Sequence, residues 1–153
     1  MVYEQLVRPV LFSMDPEDAH LRTMRLLGVA APALRALAPV FCFKDPRLAM
    51  QAFGVRFESP VGVAAGLDKD AEASAAWASL GAGFVEIGTV TPRPQHGNPR
   101  PRVFRLVEDA ALVNRMGFNS AGAEVVAARL DRARPRRAPI GVNVGKNRET
   151  SNE

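Results

Sequence analysis

Short apolar runs separated by helical patterns constrain the fold of this chain more than any other feature. The runs lie at 61–65, 84–88 and 140–144, and helical patterns occupy 70–80 and 120 to about 134, with Ser120 as the expected cap of the second helix. Buried parallel strands read as nearly continuous apolar runs, and their alternation with helices is typical of parallel βα units. The sequence therefore predicts an α/β fold.

The first 39 residues are expected to form short helices. Asp15 before Pro16 is a strong helix start, because it combines a capping side chain with a preset backbone angle. A second apolar helix is expected at 31–37, after Gly28, and a turn at 44–46 closes the segment. The apolar face of the first helix is predicted to consist of Ala19, Thr23, Met24, Leu26 and Leu27.

The composition restricts the compartment and the kinds of ligand. The net charge of +4 fits an anionic ligand, an anionic membrane or merely a basic surface. Cys42 is the single cysteine, so no internal disulfide can form, which fits a reducing compartment. The two histidines, His20 and His96, lie far apart in the sequence, and no metal site is predicted.

The N-terminal segment contains no uninterrupted apolar run of the roughly 20 residues that a membrane span requires. Glu4 and Arg8 interrupt the apolar residues before a secretory signal could form. We therefore expect a cytoplasmic protein that lies at most on a membrane surface.

Polar stretches follow each of the predicted strands, at 65–70, 88–91 and 143–147, and a proline- and arginine-rich insertion occupies 89–119. In βα barrels the working groups lie at such strand ends, and long insertions are usually functional. Glycine lets a flat ligand approach the backbone, lysine offers a positive charge, and asparagine amides both donate and accept hydrogen bonds. Each element alone is weak, since a lysine there is more often a surface ion-pair partner.

The same stretches resemble the dihydroorotate dehydrogenases. The resemblance rests on SPVGVAAGLDKD at 59–70, EIGTVTP at 86–92, PRVFRL at 101–106, NRMGFN at 114–119 and NVGKN at 143–147. It extends to the N-terminal segment, where LFSMDPEDAH at 11–20 is similar to the quinone-reducing class.

This resemblance implies a partial (β/α)8 TIM barrel, comprising the first three βα units, preceded by a small helical arm. Residues 1–45 would form the membrane- and quinone-associated arm, and residues 46–153 the first part of the FMN-binding barrel. The implied activity is the oxidation of dihydroorotate to orotate in pyrimidine (UMP) biosynthesis, with FMN as cofactor and a quinone as acceptor. The implied location is peripheral, on the cytoplasmic side of the cell membrane, and no nucleic acid partner is implied.

The resemblance also assigns roles to individual residues. The residues expected to contact FMN are Ala65, Gly66, Leu67, Asp68, Lys69, Thr89 and Asn143. The residues expected to contact dihydroorotate or orotate are Lys69, Asn114, Arg115, Met116, Gly117 and Phe118. His20 and Arg105 would line the quinone entrance, with a buried capping histidine as the alternative for His20.

The catalytic base of the class, a serine, is expected beyond Glu153, so Ser151 is not assigned that role and no catalytic residue is predicted within this chain. A closed barrel takes eight βα units and typically about 250 residues. The chain is therefore interpreted as a fragment that is inactive alone.

Two other interpretations remain. One is a non-catalytic peripheral-membrane or polyanion-binding module, built on the basic amphipathic arm and the arginine-rich insertion. It leaves the GLDK and NRMGF stretches unexplained. The other is a soluble member of the family that uses fumarate or nicotinamide as acceptor, although such members lack the helical arm.

Overall fold

The computed structural model describes residues 2–134 and 137–151. A π-helical turn at Tyr3–Val7 leads into the α-helices, which are α1 (Arg8–Phe12), α2 (Pro16–Phe41), α3 (Ser74–Ser79) and α4 (Ala123–Arg132). The strands are β1 (Met50–Ala52), β2 (Val55–Phe57), β3 (Val85–Val90), β4 (Val103–Leu106), β5 (Ala111–Asn114) and β6 (Ile140–Val144). The predicted α/β fold is confirmed.

Strands β3 and β6 form a parallel pair at the centre of the larger core. Val85 and Ile87 of β3 are fully buried, and Val126 of α4 packs with them. The connection from β3 to β6 passes through the insertion and α4, as expected for a parallel βα unit. The strand predicted at 140–144 has the observed bounds of β6, and the strand predicted at 84–88 starts one residue later and extends to Val90.

The first predicted strand, 61–65, is reduced to a single parallel bridge between Val63 and Val85. Hydrogen bonds from Val63 N to Phe84 O (3.0 Å) and from Glu86 N to Val63 O (2.8 Å) hold this segment beside β3. Among the described residues the other edge of the segment 61–65 has no strand partner, and the segment does not form a ladder of several residues.

The two helices predicted in the arm are one continuous helix, and that part of the prediction is wrong. Helix α2 begins as predicted: the carboxylate of Asp15 accepts hydrogen bonds from the backbone N–H groups of Glu17 and Asp18. It then runs through Gly28 and Pro32, because it packs along α3 at this level. A side chain at position 28 would lie 2.5 Å from the carbonyl oxygen of Glu72, so glycine permits this close approach.

Two further expectations about the arm need correction. Leu26 was expected on the buried face, but it is 68% exposed, whereas Ala19 and Met24 are buried. Helix α2 is also long and apolar enough to cross a membrane by length and composition alone, contrary to the expectation from the sequence. Core helices and signal sequences meet the same criterion, and little of this apolar stretch is buried.

Both helices of the βα region are shorter than predicted, because side-chain hydrogen bonds reshape their first turns. The carboxylate of Asp68 accepts hydrogen bonds from Glu72 N and Ala73 N, and α3 starts only at Ser74. Gly122, and not Ser120, is the N-cap of α4. The hydroxyl of Ser120 accepts hydrogen bonds from Gly122 N (3.1 Å) and Thr91 N (3.3 Å), which ties the loop to the end of β3.

Two antiparallel hairpins were not predicted. Strands β1 and β2 pair around Phe53 and Gly54, and strands β4 and β5 pair within the insertion. All of these strands have three or four residues, and β5 is exposed along its length. The insertion is therefore an ordered structure that packs against the arm.

Candidate functional site

The predicted site residues divide between two clefts. The first, which we call the strand-end cleft, has a volume of about 580 Å³ and contains Thr89, Gly117, Phe118 and the residues at 143–148. The second, the arm cleft, has a volume of about 550 Å³ and lies between the arm and the insertion. Its predicted site residues are His20, Gly66, Leu67, Lys69, Arg105, Asn114 and Met116.

Thr89 and Asn143 meet in the strand-end cleft. They belong to neighbouring parallel strands, β3 and β6, whose register shifts between Ile87 and Val90. The hydroxyl of Thr89 donates a hydrogen bond of 2.6 Å to Oδ1 of Asn143. Both residues line the cleft, so the pair contributes a hydroxyl and a carboxamide group to its lining.

Gly117 and Phe118 also line this cleft. Both have positive φ angles, and the Phe118 side chain is 65% exposed. The side-chain amide of Gln95 holds the backbone here by donating a 2.7 Å hydrogen bond to the carbonyl of Phe118. The exposed Phe118 ring is therefore attached to a backbone segment that a hydrogen bond holds in place.

Asn147 is a residue of this cleft that the sequence did not single out, although it lies in the NVGKN stretch. It is buried, and its amide both accepts from Arg93 N (3.0 Å) and donates to Arg93 O (2.8 Å). It also donates to the side chain of Gln95 at 3.1 Å. Asn147 therefore anchors the loop after β6 to the loop after β3.

Lys69 projects into the arm cleft. Its ammonium group donates a 2.9 Å hydrogen bond to Oδ1 of Asn119, which joins the loop after the first strand segment to the insertion. Burial lowers the pKa of Lys69, and the nearby Arg102 lowers it further, while Asp70 and Glu17 oppose the shift. The arm cleft therefore has a partly desolvated cation on its wall.

His20 and Arg105 lie in the same cleft. Burial is the main cause of the lowered pKa of His20, and the charge of Lys69 adds to it, against the opposing effects of Glu72 and Glu17. The guanidinium of Arg105 donates to the carbonyls of Met14 (2.9 Å) and Leu11 (3.0 Å). Arg105 therefore holds the insertion against the arm as well as lining the cleft.

Trp77 is a cleft residue that the sequence analysis missed. Its indole nitrogen is buried and has no hydrogen-bond partner among the described residues, and its side chain contributes to the wall of the arm cleft. A buried indole donor usually has a hydrogen-bond partner, so this unpaired group is an exception. The residue stood in an alanine-rich helical pattern that indicated only core packing.

Three predicted site residues, Ala65, Asp68 and Arg115, line neither cleft. Asp68 is only 1% exposed, and its carboxylate is committed to the backbone N–H groups of Glu72 and Ala73. Burial raises the pKa of Asp68 more than these hydrogen bonds lower it. Arg115 donates to the carbonyl of Pro101 at 3.0 Å, on the outer side of the hairpin.

A buried ion pair beside the arm cleft was also missed. The carboxylate of Glu17 accepts from Arg102 at 2.6 Å, and Arg102 donates in addition to the carbonyls of His96 and Asn98. The hydrogen bond from Arg102 holds the pKa of Glu17 below its usual value, although burial opposes this. No local pattern could reveal this pair, because its members lie 85 positions apart.

The parallel strand ends, the glycine–lysine loop and the ordered insertion together define an α/β protein with a cleft at the carboxyl ends of its strands. Comparison with known proteins supports this class. The family model described as dihydroorotate dehydrogenase matches residues 47–153. The chain belongs to the dihydroorotate dehydrogenase family, as its motifs predicted.

Similar proteins include dihydroorotate dehydrogenase (quinone) from Thermus thermophilus, which is 57% identical over 92% of this chain and 42% of its own length. The protein of the same description from Acidithiobacillus ferrooxidans is 53% identical, over 95% of this chain and 41% of its own. A crystal structure of DHODH from Eimeria tenella in complex with ferulenol matches with a TM-score of 0.72 and 44% identity, covering 90% of this chain and 38% of that one. The chain thus spans about two fifths of the length of the relatives it matches.

Proposed function

We propose that this chain forms the N-terminal part of a quinone-reducing dihydroorotate dehydrogenase, which oxidises dihydroorotate to orotate in pyrimidine (UMP) biosynthesis. The observation that carries the proposal is the Thr89–Asn143 contact at the ends of two parallel strands, in a cleft that Gly117 and Phe118 also line. The relatives named dihydroorotate dehydrogenase (quinone) support the same activity. Under this proposal, residues 46–153 are the first part of a (β/α)8 barrel.

The chemistry of these donors fits FMN as the cofactor. A Cβ added to Gly66 would meet nothing within 4 Å, and its φ of +104° suits glycine, so the backbone is open to a flat ring there. Gly66 N donates a 2.9 Å hydrogen bond to Gly88 O, which brings the loops of the two clefts together. Thr89 and Asn143 from the strand-end cleft and Lys69 from the arm cleft would hold the polar edge of that ring, with Ala65 and Leu67 beside it. When bound, FMN supplies the acceptor for the hydride of dihydroorotate.

The substrate would lie along the ribbon at 114–118, which contributes Asn114 and Met116 to the arm cleft and Gly117 and Phe118 to the strand-end cleft. The Asn114 amide would orient a pyrimidine edge by donating and accepting hydrogen bonds. The ammonium of Lys69 would stabilise negative charge that develops during the reaction, and its partial burial strengthens this effect.

The arm cleft would admit the quinone. Its walls include the apolar side chains of Leu11, Phe12, Met24 and Leu112, which suit a quinone ring, and His20, Arg105 and Trp77 supply the polar groups. Residues 1–45 would form a separate arm that lies on the cytoplasmic face of the membrane. The exposed apolar side chains of α2, among them Leu26, Val29, Leu37 and Val40, support a surface association of this kind.

A chimera that joins residues 1–153 to the remaining part of the Thermus thermophilus relative would test the cofactor assignment. We expect the chimera to bind FMN, and Asn143→Ala to weaken binding by about tenfold or more, because a hydrogen-bonding amide is lost. Glu149→Ala is the control, since this exposed residue lines neither cleft. Unchanged FMN affinity in Asn143→Ala would remove Asn143 from the cofactor site.

A further inference from the structure

A third groove, which we call the arginine groove, lies on another part of the surface. It has a volume of about 850 Å³ and runs between α2, the segment 71–75 and the C-terminal end of α4. It shares no lining residue with the strand-end cleft or the arm cleft. Its volume falls within the range of ligand pockets, which is roughly 300–1,000 Å³.

The charge of this groove is strongly positive. Its arginines are Arg25, Arg35, Arg129, Arg132 and Arg134. Among the described lining residues Glu72 is the single carboxylate. Its Oε1 pairs with Arg129 at 3.3 Å, and its Oε2 is buried with no hydrogen-bond partner among the described residues, while Arg134 pairs with Asp131 at 3.2 Å. The lining of the groove therefore contains more guanidinium groups than carboxylates. A guanidinium group favours phosphate because it is planar and can donate two parallel hydrogen bonds to two phosphate oxygens.

A buried hydroxyl also lies at the groove. The Ser74 side chain is 2% exposed, lines the groove, and has no hydrogen-bond partner for its Oγ among the described residues. An unsatisfied buried hydroxyl is costly, and an acceptor oxygen of a ligand would satisfy it. Ser74 also borders an adjoining cavity of about 10 Å³, which has room for about one water.

Stabilisation of the helix ends explains the positions of only some of these arginines. Arg129 and Arg132 lie in the last turn of α4, where cations interact favourably with the helix dipole. Arg25 and Arg35 lie in the middle of α2, where no such effect operates. Arg25 and Arg35 line the groove because they share one face of α2 with Gly28 and Pro32, which line it as well.

We propose that the arginine groove binds a ligand with more than one phosphate group, an inference that goes beyond the proposed redox function. The groove is far larger than a single phosphate needs, and Arg25 on α2 and Arg132 on α4 line it from two different helices, so it suits a ligand whose phosphates are spaced apart. A ligand with separated phosphates can reach Arg25 and Arg132 while Ser74 donates to one of its oxygens. The phosphates belong either to a free polyphosphate anion or to the headgroups of an anionic lipid layer.

Titration calorimetry of the chimera with inorganic tripolyphosphate tests the site. We expect saturable binding that Arg25→Ala and Arg132→Ala each weaken by about tenfold or more, because a charge-assisted contact is lost. Ser74→Ala should weaken binding without lowering the thermal midpoint of the ligand-free chimera. Arg22→Ala is the matched control, since Arg22 is exposed on α2 but does not line the groove, and it should change affinity by no more than about twofold.

Vesicles distinguish the two sources of phosphate. The lipid layer is identified if the protein binds phosphatidylglycerol vesicles but not phosphatidylcholine vesicles, and if both Arg25→Ala and added tripolyphosphate abolish this binding. Binding of tripolyphosphate without a preference for phosphatidylglycerol identifies a free anion. The proposal is overturned if tripolyphosphate shows no saturable binding, or if Arg22→Ala weakens binding as much as Arg25→Ala does.

Discussion

The carboxylate of Glu17 on helix α2 and the guanidinium of Arg102 at the edge of β4 form a buried ion pair at 2.6 Å. Arg100 adds a second contact to Glu17 at 3.1 Å from a more exposed position. Arg105 joins the same two parts of the chain through the carbonyls of Leu11 and Met14. The arm is therefore fastened to the insertion by charged and hydrogen-bonded contacts that border the arm cleft.

Removing Arg102 should destabilise the folded chain. Arg102→Ala leaves the Glu17 carboxylate buried with only the half-exposed Arg100 beside it, and we expect a loss of about 3 kcal/mol in the free energy of unfolding. Denaturant unfolding of the chimera measures this loss. Arg56→Ala is the control, because its pair with Glu58 is exposed on both sides, and it should cost below about 1 kcal/mol. Equal losses in the two variants would contradict the importance of the buried pair.

The same pair predicts a pH dependence. Arg102 holds the pKa of Glu17 below its usual 4.5, so the stability from this pair is present above pH 4.5 and is lost as the pH falls through the lowered value. The stability difference between the wild-type chain and Arg102→Ala should therefore be largest near neutral pH and shrink below pH 4.5. Asp68, whose pKa is raised by burial, acts in the opposite direction but is present in both chains. A difference that stays constant from pH 7 to pH 3 would show that the two side chains are not paired in solution.

The sequence predicted those elements whose signals are local. The start of α2 at Asp15–Pro16 and the strand at 140–144 were predicted because a cap and an apolar run are short-range features. The break expected at Gly28 is absent, because packing of α2 against α3 outweighs the low helix propensity of glycine and proline. The hairpins escaped prediction because their strands are very short, β4 is only partly buried and β5 is exposed.

The candidate site was predictable in its composition but not in its arrangement. The motifs identified Lys69, Thr89 and Asn143, yet only the structure shows Lys69 in one cleft and the Thr89–Asn143 contact in the other. Asp68 belongs to the same GLDK motif, but its side chain is turned towards the backbone of 72–73. Sequence neighbours within a motif therefore differ in what their side chains contact.

Substitution of Lys69 or Asn114 should slow the proposed reaction. In the chimera with the remaining part of the Thermus thermophilus relative, Lys69→Ala and Asn114→Ala should each lower kcat/KM for dihydroorotate by about tenfold or more, equivalent to about 1.4 kcal/mol of transition-state stabilisation. Lys44→Ala serves as control, because Lys44 is exposed and remote from both clefts. Wild-type kinetics in both cleft variants would exclude these two residues from the redox site.

The 153-residue chain alone should not oxidise dihydroorotate, and it should not retain one FMN per chain. Its strand β6 leaves Val142 and Val144 exposed, at 46% and 76%, and pairs only with β3 among the described strands. Such an uncovered strand favours self-association over a closed ligand site. Gel filtration with flavin absorbance measures both properties, and a monomeric chain with stoichiometric FMN and dye-reducing activity would contradict the prediction.

Rapid mixing of the chimera under anaerobic conditions tests the central proposal most directly, because it separates reduction of the flavin by dihydroorotate from its reoxidation by a quinone. We predict that His20→Ala slows reoxidation by a long-chain quinone by about tenfold or more while flavin reduction stays within about twofold of wild type. Lys69→Ala should instead slow flavin reduction. The account would be contradicted if the chimera binds FMN but dihydroorotate does not bleach it, or if His20→Ala leaves quinone reoxidation unchanged.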